Sequence, residues 1–215
     1  MILTPIDLGR LPRILDTFAK GLAEFPSARA AFGRIAGTYR FCSGSGADLH
    51  SGREQAGREK AVRLAARLGI PTRGEDPTAA FSWDGFAIRV RSETSVVFHE
   101  IAHWQIAPPA RRLRYDFGLG AGPETGRIVE ANAAICVDGS TKEDEENLAS
   151  LLGILWETAH DELGVLAFAE QNWLELHDRG HTHKHFASYL EKLRLRGLID
   201  SDGRPVDPLV EIVAP

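Results

Sequence analysis

Apolar residues recur at three- and four-residue intervals through Ile6, Leu8, Leu11, Ile14, Leu15, Phe18 and Leu22, which predicts a helix over about 11–21 with Pro12 near its start. Thr38 to Gly57 holds four glycines and three serines with little periodicity and reads as loop. A strong helical pattern resumes over Arg58 to Leu68 and stops at Gly69 and Pro71. Thr72 to Thr78 is a connection, and Phe86 to Val90 alternates as a short strand should. Thr94 to Ile106 then reads as a buried helix, ended by Pro108-Pro109. Phe117 to Gly126 is too rich in glycine to be regular, whereas Ile128 to Val137 suits a tightly packed helix of small residues. Helical periodicity returns through Leu148 to Leu155, Leu163 to Leu176 and Phe186 to Leu195. Asp202-Gly203 suggests a terminal hairpin between Leu198-Ile199 and Val206 to Val213. The expected fold class is α+β, predominantly α-helical with a few short strands. One domain is expected over 1–215, with a core at about 83–138 and a helical C-terminal portion at about 142–196.

Composition narrows the partners. A formal charge of −5 over 215 residues gives no basic footprint for a phosphate backbone, so nucleic acid is not expected. No apolar run is long enough to cross a bilayer, no export signal is visible, and Cys42 and Cys136 are too few for a disulfide framework. A cytoplasmic protein without a membrane partner is expected.

The pattern with chemical content is His99-Glu100-Ile101-Ala102-His103. Two histidines one helical turn apart project from the same face and can reach one metal ion, with Glu100 leaning over the site. The bland alternative is a pair of histidines satisfied by ordinary hydrogen bonds. A third ligand is needed, and Glu130 is the candidate, as the one acid in an otherwise small and apolar predicted helix. Two histidines and a carboxylate leave coordination positions open, which suits zinc hydrolysis and non-haem iron oxidation equally. Arg111-Arg112 could clamp an anionic group or pair with Asp116 and glutamates at a helix end, and Asp116 could instead hold a ligand imidazole in its tautomer. Trp104 is expected to pack beside His103 and keep water off one side of the metal.

The run from His99 through Trp104-Gln105-Ile106-Ala107, then Ala110-Arg111-Arg112, then Tyr115-Asp116-Phe117-Gly118, resembles the signature of the bacterial elongation factor P hydroxylases. Trp83-Asp84-Gly85-Phe86 extends the resemblance, which covers about 83–138. It implies a non-haem iron enzyme that uses oxygen to hydroxylate a modified lysine on a translation factor, or acts on a related protein or small molecule. It implies His99, His103 and Glu130 as the Fe(II) ligands and Glu100 as a proton-handling or orienting group. Asp116 with Arg111 and Arg112 would form a supporting shell or contact substrate. The competing reading is a zinc peptidase or amidase on the same ligands, with Glu100 deprotonating water and Tyr115 or His181 as oxyanion donor. A third is a binding module without catalysis.

Other signals read as structural. The cluster His177, His181, His183 and His185 suits a polar turn between helices, and His160 an amphipathic helix. The run Lys142 to Glu146 has the acidic character of a helix start. Gly118, Gly120 and Gly122 lack the context of a phosphate loop, and Cys136 is expected to be buried and inert.

Overall fold

The computed structural model describes residues 7–42, 47–75, 82–122, 127–174 and 182–207. Among them are eight α-helices and two short strands, so the fold is predominantly helical with a minimal sheet. The chain forms two compact units, Met1–Ser43 with Ile154–Val206, and Gly44–Gly153 with Asp207–Pro215. No helix among the described residues is long and apolar enough to cross a membrane.

The first unit contains α1 (Leu11–Gly21) and α2 (Pro26–Gly37). Proline in the first turn of each starts the helix where a missing N–H loses nothing. The periodicity of α1 turns Leu11, Leu15 and Phe18 into the core. Phe18 lies 4.7 Å from Phe32 of α2 between ring centroids and meets Phe168 and Phe186 edge-on at 5.5 and 5.8 Å, arrangements that suit aromatic quadrupoles.

In the second unit, α3 (Ala47–Arg67) packs on α4 (Thr94–Ile106). It begins eleven residues before the helical pattern predicted at 58, inside the segment read as loop, so the serines and glycines there do not prevent helix. Strand β1 (Thr72–Arg73) pairs in parallel with β2 (Ile88–Arg89), Thr72 opposite Ile88. The predicted strand at 86–90 is therefore only two residues. Phe86 is 69% exposed, and the backbone N–H groups of Phe86 and Ala87 both donate to Asp84 Oδ1 at 2.9 Å, which ties that end into a turn.

Helix α4 is buried from Val97 to His103 and needs its free ends satisfied. Glu93 makes no side-chain cap; Glu54 of α3 accepts from the Thr94 N–H and hydroxyl instead. Ala107 is extended, as the residue before a proline prefers, and ends the helix.

The stretch expected as a packed helix at 128–137 is α5 (Ile128–Ala133), only six residues, with Ala131 its one buried member and Val129 79% exposed. Helix α6 (Gly139–Ala159) follows. It begins at a cap supplied by Asp138, whose Oδ1 accepts from Thr141 N–H and Ser140 Oγ at 2.8 Å. The acidic run after it is thereby freed for other work.

The first unit is completed by α7 (Gly164–Glu170) and α8 (Thr182–Leu195). An isolated bridge between Ile199 and Pro205 stands where a hairpin was expected, and the rest of that hairpin, at 208–213, lies outside the described residues. His177 and His181 lie outside them too. His183 and His185 are on α8, and no metal-holding group forms around them among the described residues.

Candidate metal centre

His99 and His103 sit one turn apart on α4, 7% and 5% exposed. Their Nε2 atoms face each other at 2.9 Å. Glu146 Oε2, from the second turn of α6, lies 3.6 Å from each. These three form a group of donor atoms within 4.8 Å of one another. Ligand atoms around a tetrahedral ion at 2.0–2.1 Å would be about 3.3 Å apart, so the spacing fits a single cation.

The donor set fits a metal on chemical grounds as well. Two neutral imidazoles facing by Nε2 can place only one proton between them, whereas as Nδ1–H tautomers both would offer an Nε2 lone pair to a cation beside the Glu146 carboxylate. Burial and the neighbouring His103 push His99 down to about 4, so it resists protonation. Burial also opposes charge on His103, but the Glu146 carboxylate outweighs it and raises that imidazole. Glu146, in turn, is held far below the usual carboxylate range, because the two histidines outweigh its desolvation. His99 Nδ1 is buried with no hydrogen-bond partner, where ligating histidines usually have one.

The carboxylate beside the two imidazoles is therefore Glu146 and not the expected Glu130. Glu130 is on the surface of α5, 40% exposed by its side chain, and pairs with Arg127 at 2.7 Å. An unpaired Glu130 would be costly only on a buried helix; on the exposed α5 a carboxylate costs little. Glu146 was hidden in a run that resembles a solvated helix start. A usable signal was the face it shares with Ala149, Ser150 and Gly153 at helical spacing, where small residues permit close approach. Gly153 uses it: a Cβ there would stand 3.1 Å from His99 Cα and N. That contact lays α6 along α4 and points Glu146 at the imidazoles.

Glu100 is 9% exposed and raised to about 8, first by burial and then by Asp116 and Glu146, with His103 and a Ser82 hydrogen bond acting the other way. The metal-free folded state thus keeps a proton that the unfolded chain gives up near pH 4.5. Stability from that proton is present at low pH and lost as pH rises through about 8. Glu100→Gln should therefore gain on the parent protein between about pH 4.5 and 8 in urea unfolding of the metal-free form. A constant difference across that range would remove the assignment.

The remaining expected residues are distributed differently. Asp116 lies within electrostatic reach of Glu100, with its N–H donating to the Trp83 carbonyl at 3.2 Å. Asp116 and Phe117 both have left-handed backbones, φ 41° and 52°, a strained pair that seats Phe117 against the site. Phe117 stacks on His103 at 5.4 Å and on Trp83 at 5.1 Å. This stack, and not Trp104, is the apolar wall beside His103. Trp104 is half-buried and carries the Arg112 guanidinium 3.8 Å above its ring, while Arg112 Nε donates to the Ala107 carbonyl at 3.0 Å. Arg111 pairs with Glu145, both side chains 11% exposed. Cys136, expected to be buried, is exposed.

No family model, curated protein or solved structure matches the chain.

Proposed function

We propose that His99, His103 and Glu146 hold a divalent metal ion and that the protein is a metal-dependent enzyme, an iron hydroxylase in the first reading. The convergence of two imidazole nitrogens and one carboxylate oxygen from α4 and α6 carries the proposal. Two histidines and one carboxylate with open positions are the ligand set of non-haem iron oxygenases. The resemblance over 83–138 to the elongation factor P hydroxylases adds the substrate class, a modified lysine of a translation factor or a related molecule.

Bound iron supplies the oxygen-dependent redox chemistry of hydroxylation; bound zinc would instead acidify water and polarise a carbonyl. The chain's own groups do the rest. Phe117 and Trp83 exclude water from one side of His103. Burial keeps the proton of Glu100 in place at neutral pH, against a Ser82 hydrogen bond that favours its release, and Glu100 is placed to deliver or accept it at the reacting centre. Asp116 maintains that state by its negative charge. In the second reading, a zinc peptidase or amidase, Glu100 would serve as general base once it has given up that proton.

The test is metal analysis of protein purified without added metal, then anaerobic iron loading and oxygen uptake with lysine-bearing protein substrates. Near-stoichiometric metal, oxygen consumption and a product heavier by one oxygen atom are expected. Glu100→Gln should retain the metal and lose turnover by roughly 10²–10⁴-fold, the range for a lost proton-transfer group. Zinc with peptide or amide hydrolysis and no oxygen uptake would replace the first reading by the second. Failure to bind either metal would overturn both.

A further inference from the structure

A cleft of about 740 Å³ runs along one face of α1, lined by Gly9, Arg10, Arg13, Ile14, Phe18 and His183 among others. That volume is within the range of small-molecule sites. The α1 members recur at helical spacing, and from Arg10 to Gly21 the face is about 16 Å long at 1.5 Å per residue. Arg10 and Arg13 mark one end. At the other, the His183 imidazole lies on the backbone of Gly21, where a Cβ would stand 3.1 Å from its Cγ and Nδ1. Ile14 and Phe18 give the middle an apolar wall.

The electrostatics of the arginine end are unbalanced. Arg10 is the N-cap of α1 and Arg13 lies in its first turn, where the helix dipole is positive. Cations there are unfavourable, yet the first turn holds no acidic residue and Arg10 makes no capping bond. The side chains of Arg10 and Arg13 have no ion-pair or hydrogen-bond partner among the described residues. The nearest acids in sequence form no ion pair with either arginine: Asp7 accepts from the N–H of Gly9, a lining residue, at 2.9 Å, and Asp16 pairs with Lys20 at 2.6 Å. No described lining residue of the cleft is acidic. The second cleft of the same unit, about 470 Å³, differs in this respect, since its Arg194 is paired with its own Glu191.

We propose that the α1 cleft binds an organic phosphate, its anionic head between Arg10 and Arg13 and its apolar body along Ile14 and Phe18 toward His183. Two guanidinium groups one turn apart, at the positive end of a helix, match a phosphate dianion in charge and in donor geometry. This site does not depend on the metal centre.

Isothermal titration of the full chain with 1-naphthyl phosphate tests it, with 1-naphthol and inorganic phosphate as partial probes. One-to-one binding is expected for naphthyl phosphate, at least tenfold tighter than either partial probe. Arg10→Ala/Arg13→Ala should weaken it at least tenfold. Lys20→Ala removes one positive charge from the same helix outside the cleft lining and should leave it within twofold. Circular dichroism would verify that the variants fold, as expected for exposed positions. The proposal is overturned if naphthyl phosphate does not bind at millimolar concentration or if 1-naphthol or inorganic phosphate binds equally well. It also fails if Lys20→Ala weakens binding as much as the double arginine variant.

Discussion

Glu146→Ala is expected to strip the protein of metal, whereas Glu130→Ala leaves the metal content unchanged. The two carboxylates are sixteen positions apart in the chain and differ sharply in surroundings. Glu146 Oε2 is 3.6 Å from both Nε2 atoms, while Glu130 is occupied by Arg127 on an exposed helix. Loss of groups that merely support a ligand lowers metal affinity by about 10–100-fold, so loss of a ligand should cost at least about 100-fold. Competition against a chromophoric chelator would measure it, on protein shown by circular dichroism to be folded. Retention of parent-like affinity in Glu146→Ala, or its loss in Glu130→Ala, would contradict the assignment.

Arg111→Met is expected to destabilise the fold by about 3–5 kcal/mol, the usual consequence of breaking a buried ion pair from one side. Arg111, in the turn after α4, meets Glu145 on α6, and both side chains are 11% exposed. Removing the guanidinium leaves a carboxylate shielded from water with nothing to balance it. Arg111→Met/Glu145→Met replaces both charges by apolar groups of similar length and should recover most of the loss. Urea unfolding of the single and double variants would show this as a midpoint that falls and then returns. A loss below about 1 kcal/mol in the single variant would class the pair with ordinary surface bridges. Glu145 directly precedes Glu146, so the pair also fixes where α6 begins its approach to the histidines.

The sequence made one half of this centre readable and concealed the other. His99 and His103 could be placed because helical spacing alone puts positions i and i+4 on one face, whatever the rest of the chain does. A carboxylate from another helix has no such local marker. Glu130 stood out because its neighbours are small and apolar, yet Ile128 and Val129 are 56% and 79% exposed, so apolar composition there did not mean burial. Glu146 was obscured by three acidic neighbours, and what selects it is tertiary: the close approach that Gly153 permits against His99. The α1 and α4 spans were readable because apolar periodicity and proline stops agree. The α3 start was not, because Ala47 to Gly57 has polar composition on a helix whose packing is decided by α4.

The left-handed turn at Asp116 and Phe117, followed by Gly118 at φ 73°, also limits how the chain can vary. A Cβ at Gly118 would come 2.5 Å from Cys136 Sγ, so even alanine there must displace either the turn or the segment bearing Cys136. The wall against His103 is thus tied, through Gly118, to the exposed surface around Cys136. Alkylation of that thiol with a bulky reagent is a means of perturbing the site from outside, with no substitution at His99, His103 or Glu146.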